Sequence, residues 1–263
     1  MDILSHLSGA YPWKAHLHHF PTIDSTNDRL RTMARQGAPH GTILIADHQT
    51  AGHGRLGRSF HSPSASGVYL SVLLRPDCYP TELMHLTCAA AVAMCDAVEQ
   101  AAGFRPGIKW TNDLVYEKRK LGGILTELGF TADGRVDYVI IGIGINCCQR
   151  TEDFPEDIRS IAVSLAMVSG KSVDRGVVAA EMAESLCRMS DNLLTDRADI
   201  LQQYRADCIT IGQEISLVRG EEVRYGKAVD VDDQGALIVD FRDGHRESVN
   251  SGEVSVRGMY GYI

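Results

Sequence analysis

Cationic side chains are in short supply in this 263-residue chain, with 26 Lys and Arg against 34 Asp and Glu and a formal net charge of −8. A protein that binds nucleic acid broadly needs the opposite balance to neutralise phosphates, so that class is excluded and any polyanion must be met by a local cluster. Long apolar runs are lacking as well. No uninterrupted run reaches the roughly 18 residues of a membrane span, and the start, Met1-Asp2-Ile3-Leu4-Ser5-His6, has no basic n-region or apolar h-region. A cytoplasmic protein without membrane association is expected. C-x-x-C pairs are missing too: the seven cysteines, Cys78, Cys88, Cys95, Cys147, Cys148, Cys187 and Cys208, are scattered and odd in number. That gives neither a disulfide framework nor a zinc or redox motif, and the thiols read as reduced and structural. Internal repeats and low-complexity stretches are also absent. What is present is 44% hydrophobic content and enough length for one large domain with a small appendage.

The most informative run is Asp47-His48-Gln49-Thr50-Ala51-Gly52-His53-Gly54-Arg55-Leu56-Gly57-Arg58, three glycines interleaved with two arginines. Glycines bring backbone N–H groups close to a ligand through positive-φ turns, and guanidinium groups present forked donors to carboxylate or phosphate. The spacing Gly52-x-Gly54-x-x-Gly57 matches a dinucleotide fingerprint, but that fingerprint must open a helix. Here Ser62-Pro63, Ser64 and Ser66 follow and cannot start one. A kinase glycine loop is excluded in turn, because the chain has no His-Arg-Asp and no Asp-Phe-Gly. The loop therefore joins two strands, over 42–46 and 67–74.

Hydrophobic periodicity predicts a strand over 16–20 and, after the cap residues Ser25-Thr26-Asn27-Asp28, a helix stopped by Gly37. A long helix over 81–102 should bury Leu83, Leu86, Ala90 and Met94. Strands follow over 107–110, 114–117, 121–128 and 136–145, with Asp133-Gly134 as a hairpin turn, then a helix over 174–194 with Val178, Met182 and Leu186 inward. Near residue 211 the composition shifts to short strands over 215–218, 223–225, 227–231 and 236–241, which predicts a small barrel. The expected fold is α+β: a mixed sheet with packed helices over 1–211 and a small all-β unit over 212–263.

Three more clusters carry chemistry. In Lys109-Trp110-Thr111-Asn112-Asp113 and Arg119-Lys120-Leu121-Gly122-Gly123, the lysines could neutralise phosphates, Asn112 read a base or ribose, and Asp113 hold a divalent ion or another side chain. An exposed charged turn has the same composition. Ser25-Thr26-Asn27 could bind a ligand or simply cap its helix, and Gly142-Ile143-Gly144-Ile145-Asn146 suits close approach to a ligand or a β-bulge.

In this order the four clusters resemble the biotin protein ligase family, specifically its monofunctional bacterial type. The resemblance spans about residues 15 to 195, and Ser251-Gly252-Glu253-Val254-Ser255-Val256-Arg257-Gly258 resembles the end of the family's C-terminal SH3-like barrel. It implies a class II aminoacyl-tRNA synthetase-like catalytic domain that uses ATP with Mg2+ to convert biotin to biotinyl-5′-AMP and pyrophosphate. The biotinyl group then passes to a lysine of a biotin carboxyl carrier domain. Arg55, Lys109, Asp113 and Lys120 are implied as catalytic, Asp113 also as the Mg2+ residue. Biotin is implied to meet Ser25, Thr26, Asn27, Gln49, Gly52, His53, Gly54, Arg55 and Lys120. Adenylate is implied to meet Arg55, Arg58, Phe60, Lys109, Asn112, Lys120 and Asn146, with no tightly bound prosthetic group.

Two positions depart from the family pattern: His53 stands where arginine is common, and Thr111 where proline is common. An unperturbed imidazole is largely neutral at pH 7, so His53 supplies no fixed charge. Phe60 stands where tryptophan often stacks on adenine. The enzymatic alternative is a lipoate ligase or octanoyltransferase of the same superfamily; the latter needs a nucleophilic cysteine, and none lies within the Gln49 to Arg58 or Lys109 to Lys120 motifs. A biotin- or adenylate-binding regulator without turnover is the non-enzymatic one. The implied docking edge for the carrier is the strand over 123–130, and the same sheet is a possible homodimer surface. With 24 residues before Ser25 and no basic recognition helix among them, no operator binding is expected. A gel shift at physiological salt should show no sequence-specific DNA complex, and a discrete competitor-resistant band would overturn that expectation.

Overall fold

The computed structural model describes residues 1–219, 221–250 and 253–256, with the backbone alone at Leu56, Arg219, Glu253, Ser255 and Val256. Strands β1 (Leu17–Phe20), β2 (Thr42–Ala46), β3 (Gly67–Leu74), β4 (Gly107–Lys109), β5 (Asp113–Tyr116), β6 (Arg119–Phe130) and β7 (Val136–Asn146) form one sheet. Its order is β1-β2-β3-β7-β6-β5-β4. The β1–β2 pair is parallel and the other pairs are antiparallel, so the sheet is mixed. β2 and β3 are buried along their whole length because helices cover both faces.

Strand alternation divides the two faces. On one, Leu44, Leu73, Tyr138 and Ile140 pack under Leu30 and Ala34 of α1 (Thr26–Arg35). On the other, Ile43, Ile45, Leu70, Val72, Ile141, Ile143 and Ile145 join the large core built with α2 (Leu86–Ala102) and α4 (Arg175–Asn192). Leu83, Leu86, Ala90, Met94, Val178, Met182 and Leu186 are all buried there, as their spacing predicted. The short α3 (Leu165–Ser169) and α5 (Arg197–Asp207) had no sequence signal strong enough to read. Segment Pro80–Ala102 corrects the absence of a membrane-length stretch: within its 23 residues an 18-residue stretch with a mean hydropathy of 1.2 is long and apolar enough by length and composition. It is a core segment, broken into a 3-10 turn and α2, and its apolar stretch is 67% buried.

After α5, strands β8 (Glu214–Arg219), β9 (Glu222–Val231), β10 (Leu237–Phe241), β11 (Arg246–Val249) and β12 (Glu253–Val256) form a second, antiparallel sheet in the order β11-β10-β9-β8-β12. The two runs read from the sequence as separate strands, 223–225 and 227–231, are one continuous β9. Gly226 between them is there for space, since a Cβ would lie 2.6 Å from the Asp240 carbonyl. Of the motif read as the barrel's end, 253–256 is β12, while Ser251, Gly252, Arg257 and Gly258 lie outside the described residues, as do residues 259–263 of the expected C-terminal unit. A mixed sheet with packed helices and a small all-β sheet is the fold class the sequence predicted.

His85 precedes α2 and is fully buried, with Nε2 2.8 Å from the Leu193 carbonyl and Nδ1 without a hydrogen-bond partner among the described residues. Burial, which disfavours the charged ring, lowers its pKa below the ordinary 6.5. The unfolded chain then binds this proton more readily, so stability is lost as pH falls from the unfolded value through the folded one. The thermal midpoint of the wild type should drop between pH 7.5 and 5.5 by more than that of His85→Gln, which keeps a donor for Leu193. Equal drops would remove His85 as the cause.

Candidate active site

The motif Gly-Ile-Gly-Ile-Asn lies in β7, and the period of two explains its form: isoleucines face the α2/α4 core while Gly142 and Gly144 face the α1 side. In register beside them are Ser71 and Tyr69 of β3, and Leu125 and Gly123 of β6. Rows of glycine on one face leave a trough above the sheet, and neighbouring side chains need that space. A Cβ at Gly142 would lie 2.1 Å from Asn27 Oδ1, and one at Gly144 would lie 2.3 Å from Phe60 Cε1. The cleft above holds ≈ 1110 Å³ of empty space, counting its open mouth.

Polar side chains hold one end. Ser25 caps α1, accepting from the Asp28 N–H at 3.4 Å, so the capping role is real. Thr26 donates from N–H (2.9 Å) and Oγ1 (3.0 Å) to Gln49 Oε1, and Gln49 Nε2 donates to Ser62 Oγ at 3.2 Å. Beneath them Ser71 Oγ, fully buried on β3, lies 2.7 Å from Thr26 Oγ1 and 2.6 Å from Asn27 Oδ1. Asn27 Nδ2 donates to Glu127 Oε2 at 2.8 Å, and Glu127 is also paired with Arg31. Ser62, Ser71, Glu127 and Arg31 were not read from the sequence. Single polar residues in strands or a helix give no motif, although an isolated serine in the apolar run of β3 was the available signal.

Cations gather at the other end, and the ladder explains how. Lys109 stands directly opposite Asp113 at the β4–β5 turn, and Asp113 opposite Gly123. Three positions apart on a regular strand, Lys120 and Gly123 would face opposite sides. The β5–β6 register shifts between Leu114 and Val115, so β6 carries one extra residue there and Lys120 swings onto the face of Asp113. Its Nζ reaches Asp113 Oδ1 at 2.7 Å, and a Cβ at Gly123 would touch that ammonium at 3.4 Å. The Lys120 backbone is fixed as well, donating to the Ile161 carbonyl at 2.7 Å and accepting from the Val163 N–H at 2.9 Å.

The glycine–arginine run, set between β2 and β3, folds as a small hairpin over the trough. Phe60 N–H donates to the Gly52 carbonyl at 2.9 Å and Gly54 N–H to the Arg58 carbonyl at 2.7 Å, with a 3-10 turn at Arg55–Gly57. Of the three glycines Gly57 alone has a positive φ, 71°. Gly52 is needed for space, because a Cβ would lie 2.7 Å from Ser62 Oγ. Arg55 Nη1 donates to Thr111 Oγ1 and to Asn112 Oδ1, both at 3.1 Å. His53 Nδ1 lies 3.8 Å from Asp28 Oδ2. Phe60 packs edge-on against Tyr69 at 6.4 Å.

Ser25, Thr26, Asn27, Gln49, His53, Gly54, Arg55, Arg58, Phe60, Lys109, Asn112, Asp113 and Lys120 all line this one cleft. Gly52 does not line it. Asn146 does not line it: its amide donates to the Val163 carbonyl at 3.1 Å and steadies the backbone that holds Lys120. Val254 of β12 also lines the cleft and was not read as a site residue. All seven cysteines are free; burial pushes Cys88 up to about 12 and Cys187 up to about 11, so these thiols are poor nucleophiles.

The chain is similar to known proteins along most of its length. Residues 19–146 match the model of the Biotin/lipoate A/B protein ligase family, and residues 210–257 that of the Biotin protein ligase C terminal domain. The bifunctional ligase/repressor of Bacillus spizizenii is 38% identical over 87% of this chain and 70% of its own length. The biotin–[acetyl-CoA-carboxylase] ligase of Mycobacterium tuberculosis is 33% identical, over 88% of this chain and 85% of its own. Among solved structures, the biotin protein ligase of Aquifex aeolicus in complex with biotin and ATP aligns with a TM-score of 0.78 and 30% identity, covering 92% of this chain and 98% of that one. With two family models matched in order and relatives similar along most of its length, the chain belongs to the biotin protein ligase family.

Proposed function

We propose that the cleft carries out ATP-dependent biotin ligation, and the observation that carries this reading is the joining of a polar, amide-lined end to a cationic end along one trough. A carboxylate is a poor acyl donor because its leaving group would be oxide. Attack of a biotin carboxylate oxygen on the α-phosphorus of ATP, with cleavage of the bond to the β-phosphate, releases pyrophosphate and gives biotinyl-5′-AMP. A neutral lysine amine then attacks the acyl carbon, AMP leaves with the bonding pair, and the amine proton passes to solvent. Two anions must meet in the first step, so catalysis is positioning and charge neutralisation rather than covalent chemistry. Arg55 and Lys120 are assigned to the carboxylate and α-phosphate, Lys109 and Arg58 to the phosphates, Asn112 to the adenylate, and Phe60 to the adenine face.

The polar end suits a ureido group. Asn27 Oδ1 carries no proton, so the Ser71 hydroxyl donates to it and the Thr26 hydroxyl is left to donate either to Ser71 or to Gln49. Turning Thr26 toward Ser71 frees Gln49 Oε1 to accept from a ureido N–H, with the Ser25 hydroxyl beside it. An apolar dithiolane offers this polar end neither a donor nor a matching acceptor, which favours biotin over lipoate.

Magnesium enters as MgATP. Among the described residues no group of three His, Cys, Asp or Glu could hold a metal alone. Asp113, with Oδ1 given to Lys120, fits as the single carboxylate beside the phosphates, where the ion would screen their charge. The acceptor, a carboxyl carrier domain, is assigned to the edge of β6. Beyond Ile124, which still exchanges hydrogen bonds with Asn112, this strand pairs among the described residues with β7 alone, and Phe130 at its end is 58% exposed. Two copies of the chain would compete for that edge. The units 1–211 and 212–263 are assigned as catalytic and cleft-closing: Trp110 Nε1 donates to the Gly235 carbonyl at 3.0 Å and Val254 reaches the cleft. A need for ATP and carboxylases puts the activity in the cytoplasm.

Pyrophosphate should be released with biotin, ATP and magnesium and not with lipoate in place of biotin. Release with lipoate alone would contradict the reading, and biotin binding without release would make the chain a regulator. Lys120→Ala should lose at least about a hundredfold in adenylate formation while keeping its thermal midpoint; near-normal formation would remove Lys120 from the site. Gly144→Ala should displace the Phe60 ring and raise the KM for ATP about tenfold, measured in the same assay.

A further inference from the structure

Thr111 Oγ1 stands on a rigid base. Its own carbonyl accepts from the hydroxyl of fully buried Tyr204 at 3.1 Å, and the preceding Trp110 is held by its N–H to Thr210 Oγ1 at 2.9 Å and by its indole to the Gly235 carbonyl. These anchors come from α5, from the segment after it and from the second sheet. The group it meets belongs to the opposite kind of structure. Arg55 is at the tip of a hairpin with glycines at 52, 54 and 57, where few side chains restrain the backbone. Nη1 has two protons, and the two acceptors at 3.1 Å, Thr111 Oγ1 and Asn112 Oδ1, use both. Among the described residues Nε and Nη2 have no partner, so one edge of the guanidinium is held by protein and the other is left for an anion.

We infer that Thr111 is a positioning residue, whose hydroxyl tethers the lid arginine over the cleft before substrate arrives. This rests on the biotin ligase reading of the cleft. The consequence is thermodynamic: a lid ordered in the free protein does not draw its ordering cost from ligand binding, so the tether lowers KM and leaves the saturated rate nearly untouched. Proline, valine or alanine at 111 supplies no acceptor, whereas serine does.

Two readouts on Thr111→Val and Thr111→Ser test this. Trypsin cleavage after Arg55 and Arg58 without ligands, followed by fragment mass, should speed up about fivefold to tenfold in Thr111→Val, the scale of one net hydrogen bond, and stay at the wild-type rate in Thr111→Ser. In pyrophosphate release the KM for biotin should rise by a similar factor in Thr111→Val, with kcat within about twofold, and Thr111→Ser should match the wild type. In an Arg55→Ala background Thr111→Val should add nothing. A wild-type cleavage rate and KM in Thr111→Val, equal impairment in Thr111→Ser, or a full additive effect in the Arg55→Ala background would each overturn the tether. Absence of pyrophosphate release from the wild type would instead sink the ligase reading and leave the cleavage comparison standing.

Discussion

Ser71 holds the floor of the site, and the arrangement above it depends on that one hydroxyl. It sits in the middle of a strand buried on both faces, where an unpaired polar group would cost on the order of 1–3 kcal/mol. It is satisfied by Thr26 and Asn27, the first residues of α1, so the start of the helix is fixed relative to the sheet. From there hydrogen bonds run one way through Gln49 and Ser62 to the Phe60 carbonyl, and the other way through Asn27 to Glu127 and Arg31. Cap, floor and lid base are thus one connected network, and such networks are unforgiving of a missing member.

The second constraint is charge. A chain with a net charge of −8 nonetheless lines one cleft with Arg55, Arg58, Lys109 and Lys120 and admits Asp113 as the carboxylate among them. Lys109 is only 8% exposed, and burying a cation that deeply is costly unless anions are supplied to it. The bulge in β6 brings Lys120 into this group, and a regular strand would have sent it into the core.

Much of this was legible in the sequence. The glycines and isoleucines of β7 alternate with the period of a strand, and the turn residues between the runs marked strand-loop-strand rather than a Rossmann turn. Most of the motif residues, Gly52 and Asn146 excepted, fell into one cleft because short hairpins bring their ends together. What escaped has a physical reason. The β6 bulge opposite Leu114 and Val115 depends on pairing between strands, which single-strand periodicity does not encode. Asn146, read as an adenylate contact, spends its amide on backbone, and only the fold shows that residues 161–163 lie beside it. Ser71, Glu127 and Val254 come from three distant parts of the chain. The two helices that were missed are short or weakly amphipathic, and their burial comes from tertiary contacts.

Intact-mass measurement on a carboxyl carrier domain incubated with this chain, biotin and MgATP tests biotinyl transfer to protein most directly. One added biotinyl group is expected, mapped by fragmentation to a single lysine and absent when ATP is omitted. An unmodified carrier, or a lipoyl adduct formed in preference when both acids are present, would contradict it.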